Sequence, residues 1–144
     1  MDELGATGSI TIEAPIDDVW KAITTPELIK QWFFGVDTES DWEPGSPLIH
    51  RGEWQGKPYV DKGEILRIEP PTLLVHTHWS DVSGSPDAPE NYQEVTWLSK
   101  RDGSTELTIT ERNLPSEETK AVSEASWKTA LTSLKAVLEG SGSP

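Results

Sequence analysis

The 144-residue chain carries 25 acidic against 12 basic residues, a net charge of −13, so nucleic acid and anionic membrane surfaces are repelled, and no basic cluster offsets this. It has no cysteine, which excludes a disulfide framework, a thiolate zinc site and a cysteine nucleophile. No apolar run approaches the ~20 residues that span a bilayer, and Met1 to Gly8 lacks the regions of a signal peptide. The expectation is therefore a soluble, cytoplasmic, single-domain protein with one sizeable core.

Ser9 to Ala14 alternates, with Ile10 and Ile12 on one face, and reads as a strand. Pro15 opens a short helix where a missing N–H costs nothing; Asp17 and Asp18 occupy its first turn, and Val19, Trp20 and Ile23 form its buried stripe. Thr25-Pro26-Glu27 repeats the start signal for a second short helix with Leu28, Ile29, Trp32 and Phe33 on its apolar side, ended by Gly35. From Val36 to Arg112 helical periodicity is absent and turn residues cut the chain into strands. Pro44-Gly45 precedes Leu48 to Trp54, Gln55-Gly56 joins that strand to Lys57 to Ile68, and Pro70-Pro71 leads into Leu73 to Trp79. A polar loop runs from Ser80 to Glu90, and Tyr92 to Ser99 and Thr105 to Arg112 flank the hairpin signal Arg101-Asp102-Gly103.

Ser116 to Glu139 is the long helix, about 35 Å at the usual rise per residue. Ser116 is its N-cap, Glu117 and Glu118 complement the dipole, and Gly140 supplies a left-handed stop. Trp127, Ala130, Leu131, Leu134, Val137 and Leu138 share one face, but the same face continued backwards meets Ser123, Glu124 and Lys120. Its C-terminal half is therefore core, and its polar N-terminal half faces a cavity, water or a ligand. A continuous antiparallel sheet followed by one amphipathic helix predicts an α+β fold in which a curved sheet grips that helix. The domain is expected to span residues 1–140, with 141–144 a disordered tail.

Ile12 to Leu28 followed by Trp32 resembles the opening of the START-like helix-grip (SRPBCC) superfamily. Gly63-Glu64-Ile65-Leu66-Arg67-Ile68-Glu69-Pro70-Pro71 and the helix from Trp127 to Leu138 are similar to the branch named after the activator of heat shock protein 90 ATPase. The resemblance implies a cavity between the long helix and the concave sheet face, closed at one end by the two short helices. It is specific for fold and not for function, because the superfamily hosts lipid carriers, receptors, cyclases and co-chaperones.

His76 and His78 share one strand face with Leu74, while Val75, Thr77 and Trp79 share the other. Matched to the family's pattern, His76 and His78 point inward, as do Leu48, His50 and Trp54. Alternation by itself leaves open which face is inside. Trp32, Val95, Trp97 and Trp127 are expected around the cavity, with Lys120 and Ser123 on the polar part of the helix. No metal or cofactor is assigned: His50 lies a strand removed from the other two, near 10 Å away at ~4.8 Å per strand. No nucleophile motif appears; Glu94, Glu106 and Glu111 could act as acids or bases only if buried. The reading is non-catalytic binding of a hydrophobic or aromatic small molecule by a monomer or weak dimer. The alternatives are a co-chaperone or stress-related interaction protein with a protein partner, and a cyclase- or hydrolase-like enzyme.

Overall fold

The computed structural model describes residues 5–80, 86–102, 104–114 and 116–139. Strand β1 (Gly5–Ile12) leads into α1 (Ile16–Thr24) and α2 (Pro26–Trp32). Then come β2 (Asp37–Ser40), β3 (Pro47–Trp54), β4 (Lys57–Glu69), β5 (Leu73–Ser80), β6 (Gln93–Asp102), β7 (Ser104–Arg112) and the long helix α3 (Glu117–Leu138). The strands form one antiparallel seven-stranded sheet in the order β1-β7-β6-β5-β4-β3-β2. This is the helix-grip arrangement expected from the sequence, with one addition. The short edge strand β2 follows a left-handed turn at Phe34 and Gly35 (φ 53° and 70°) and carries no apolar alternation that would have announced it.

The core lies between the sheet's inner face and the helices. Ala6, Ile12, Leu107, Ile109, Leu74, Val95 and Ile65 from the strands meet Val19, Ile29, Leu131 and Leu134, all buried. Gly8 lets α3 settle on β1: a Cβ there would stand 3.2 Å from Leu131 Cδ1. Ser116 caps α3 as expected, its hydroxyl accepting the Thr119 N–H at 3.1 Å. Pro15 is the N-cap of α1, one place earlier than the expected first helical position. The proposed stop at Gly140, the hairpin glycine Gly103, the 81–85 part of the polar loop and the 141–144 tail lie outside the described residues.

A bulge shapes the middle of the sheet. Ile65 pairs with His76 but Arg67 pairs with Val75, which leaves Leu66 as an extra residue on β4. Leu66 and Arg67 therefore both face out, and the inward series Tyr59, Asp61, Gly63, Ile65 resumes at Ile68. Gly63 is required by a close approach: a Cβ would lie 1.7 Å from the Thr77 carbonyl oxygen. That carbonyl is turned towards the His76 ring, with which it makes a 2.9 Å contact at Nδ1.

Candidate functional site

A cavity of about 500 Å³ lies between the inner sheet face, the end of α2 and the first half of α3. It exists because the long helix stops packing on the sheet beyond its C-terminal half. Ala130, Leu131 and Leu134 are buried, whereas the earlier α3 residues are exposed or half-buried. The inner faces of β3, β4 and β5 supply the opposite wall.

Much of the cavity wall is aromatic. Trp32 is anchored by its indole N–H, which donates to the Ala22 carbonyl at 2.9 Å. Its ring meets the edge of Trp97 at 6.0 Å, and Trp97 meets Trp127 edge-on at 5.4 Å and 86°. Phe33 lies near-parallel to Trp127 at 6.0 Å and 13°, bridging α2 and α3, and touches His50 edge-on at 5.5 Å. Such ring pairs add about 0.5–1.5 kcal/mol each beyond the area they bury. At the mouth, Phe34 (52% exposed) and Val122 (60% exposed) present apolar surface to solvent.

The polar groups of the wall lie against these rings, and hydrogen bonds assign the tautomer of His76. Trp97 Nε1–H can only donate, and it points at His76 Nε2 at 3.0 Å. His76 Nε2 is therefore the acceptor, so Nδ1 carries the proton and donates to the Thr77 carbonyl. Burial drives the His76 pKa from 6.5 to about 3 against that hydrogen bond, with the charges of His50 and His78 acting in the same direction as burial. His76 is thus a neutral ring with both nitrogens engaged, and it holds the Trp97 indole in place.

His50 contacts Thr38 Oγ1 through Nδ1 at 2.8 Å and opens onto the cavity. It is enclosed by protein although the cavity leaves part of its surface accessible. Burial, aided by His78 and opposed by Asp61, lowers its pKa to about 4. His78 differs because it has a carboxylate partner: its Nε2 stands 3.2 Å from Asp61 Oδ2. Burial pulls the His78 pKa down, but the hydrogen bond and charge of Asp61, then Glu111 and Gln93, outweigh it and the pKa rises. Burial raises the Asp61 carboxyl, yet His78, Ser80 and His50 together bring it below the ordinary range. Asp61 Oδ1 and His78 Nδ1 are buried without a completed hydrogen bond. Gln93, opposite His78 in the register, instead directs its amide N–H groups to the carbonyls of Asn91 and Asn113. Glu111, 5% exposed, reaches the cavity from β7 and accepts the Trp127 indole N–H at 3.0 Å.

The structure brings together eight of the residues singled out in the sequence: Trp32, His50, His76, His78, Val95, Trp97, Ser123 and Trp127 all line the cavity. Lys120 is half-buried and lies about two turns before Trp127 on the same helix face, but it is not among the cavity-lining residues. Trp54 is on β3 opposite Lys57, and its side chain lies outside the described residues. The open question of the β5 faces is answered: His76 and His78 point inward, while Trp79 stacks outside on Tyr92 at 6.2 Å with Lys62 over its ring. The carboxylate paired with a histidine is Asp61, while Glu94 is half-buried and stands 3.9 Å from Arg112. Tyr59, Asp61 and Trp42 were missed by sequence reasoning. Asp61 and Tyr59 shared a signal, their even spacing from Ile65, which identifies the inner face of β4. Among the described residues no group of three or more His, Asp or Glu is arranged to hold a metal ion. His76 has no free nitrogen, and β4 separates His50 from β5.

The family model of the Activator of Hsp90 ATPase homolog 1-like proteins matches residues 13–139. The solution structure of a Cytophaga hutchinsonii protein is 39% identical, with a TM-score of 0.84 over 100% of this chain and 99% of that one. The Aha1 dimer from Colwellia psychrerythraea is 20% identical, with a TM-score of 0.75 over 94% of this chain and 96% of that one. CalU16 from Micromonospora echinospora is 24% identical, with a TM-score of 0.68 over 92% and 82% respectively. No curated protein matches the chain.

Proposed function

The chain belongs to the Activator of Hsp90 ATPase homolog 1-like protein family, and from that premise we propose that it binds a hydrophobic or aromatic small molecule without catalysis. The observation that carries this reading is the cavity of about 500 Å³ whose wall sets a few buried polar groups among aromatic rings. That size and that mixture of apolar wall with few polar groups suit a drug-sized ligand. The polar groups are held for recognition more than for reaction. His76 is tied to Trp97 and Thr77, and the Asp61–His78 pair is self-compensating. We place the protein in the cytoplasm as a monomer or weak dimer; no helix among the described residues is long and apolar enough to cross a membrane.

Native mass spectrometry of protein purified from its own host, with tryptophan fluorescence titrations, tests the reading. A small molecule retained at one equivalent, and a fluorescence change weakened by Trp127→Ala, are the expected results. A broad panel of apolar aromatic compounds giving no change, with nothing retained, would remove it.

A second reading, an interaction protein of the kind the family name describes, draws support from the exposed Phe34 and Val122 at the cavity mouth. Calorimetric titration against the purified heat shock ATPase decides it. Absence of heat at micromolar concentrations, with the ligand titration positive, would leave small-molecule binding alone.

A further inference from the structure

The charges facing the cavity are unequal in sign. Its described lining includes the carboxylates of Asp61 and Glu111, the phenol of Tyr59 and the imidazoles of His50, His76 and His78, but no lysine or arginine. His50 and His76 are held neutral by burial. The positive charge that His78 can carry is engaged by Asp61 at 3.2 Å. Glu111 remains: it is buried, it accepts one indole N–H from Trp127, and among the described residues no cation forms a salt bridge with it; the charge of His78 acts on it but is bridged to Asp61. A buried carboxylate without a counter-charge is costly, and a cation entering beside it recovers that cost. Its partner Trp127 is clustered with Trp97 and Phe33, aromatic rings of the kind whose π-faces attract an ammonium group. An anionic head group would instead meet two carboxylates with no lysine or arginine to offset them.

We propose that the cavity takes a hydrophobic organic cation, an ammonium group on an aromatic or alkyl body, with Glu111 as the counter-charge. This rests on the ligand-binding reading above and specifies its ligand class. The site's fixed charges also act in the same direction as the chain's net charge of −13, which raises the local concentration of cations.

Three probes with one body separate the possibilities: phenylbutyl-trimethylammonium, phenylbutanol and phenylbutanoate, titrated by tryptophan fluorescence at neutral pH. The cation is expected to bind at least roughly tenfold more tightly than the alcohol, and the carboxylate most weakly. Glu111→Gln keeps an oxygen for the Trp127 N–H, so it should retain alcohol binding and lose the preference for the cation. Glu106→Gln, exposed on the same strand, removes the same net charge and should leave the preference intact. Circular dichroism checks that each variant is folded; should Glu111→Gln fail to fold, the order of the three wild-type affinities still decides. Equal binding of alcohol and cation, tighter binding of the carboxylate, or equal effects of the two glutamine variants would overturn the proposal while leaving a ligand site. Binding by none of the three would overturn the proposal and count against the ligand reading itself.

Discussion

Replacing His76 by glutamine should change how stability depends on pH. The side chain is 5% exposed, and burial lowers its pKa from 6.5 to about 3. Between those values the unfolded chain binds a proton that the folded protein refuses, so stability rises with pH across the window. Equivalently, this contribution is intact above pH 6.5 and is lost as the pH falls towards 3. The slope is about 1.4 kcal/mol per pH unit for one proton, and pH 5 lies about 1.5 units below 6.5, so the loss is about 2 kcal/mol. Glutamine does not titrate but offers a carbonyl to the Trp97 N–H, which phenylalanine would leave unsatisfied. His76→Phe should therefore cost roughly 1–3 kcal/mol at pH 7. Urea unfolding of wild type and His76→Gln at pH 7, 6 and 5 provides the measurement. His50 and His78 titrate in both proteins, so their effects largely cancel in the difference. The gap between the two should narrow or invert by about 2 kcal/mol from pH 7 to pH 5. Parallel pH profiles would show that His76 is not the buried neutral ring described above.

Leu134→Ala, at a fully buried position of α3, should destabilise by roughly 2–5 kcal/mol, while exposed Lys128→Ala changes stability by less than about 0.5 kcal/mol. Lys135 is not the neutral comparison its helical position suggests, because its ammonium donates to the Thr11 carbonyl and to Glu139. Equal shifts in urea midpoint for Leu134→Ala and Lys128→Ala would mean the helix faces are misassigned. Asp61→Asn should move the His78 pKa from above 6.5 to below it, since burial then outweighs what remains of the favourable charge. NMR titration of the imidazole protons reads this directly, and an unmoved pKa would separate Asp61 from His78.

The order of elements, the cap at Ser116, the apolar stripe of α3 and most strand limits were legible in the chain because they rest on local chemistry. Pro26, Gly45, Gly56 and the spacing of Trp127, Leu131 and Leu134 each act within a few residues of themselves. The change from core to polar along the long helix likewise marked where a cavity could open, since no buried face carries that pattern. Strand alternation fixes which residues share a face but not which face is covered, so the place of His76 and His78 was decided only when β5 was laid beside β4 and β6. The same holds for charge. His76 and His78 are two residues apart on one face, yet one meets an indole N–H from β6 and the other a carboxylate from β4. Burial pulls both pKa values down, and at His78 the carboxylate of Asp61, 17 residues distant in sequence, reverses the direction. A residue's own chemistry sets its ordinary pKa, whereas desolvation and partner charge depend on what folding brings within a few ångströms.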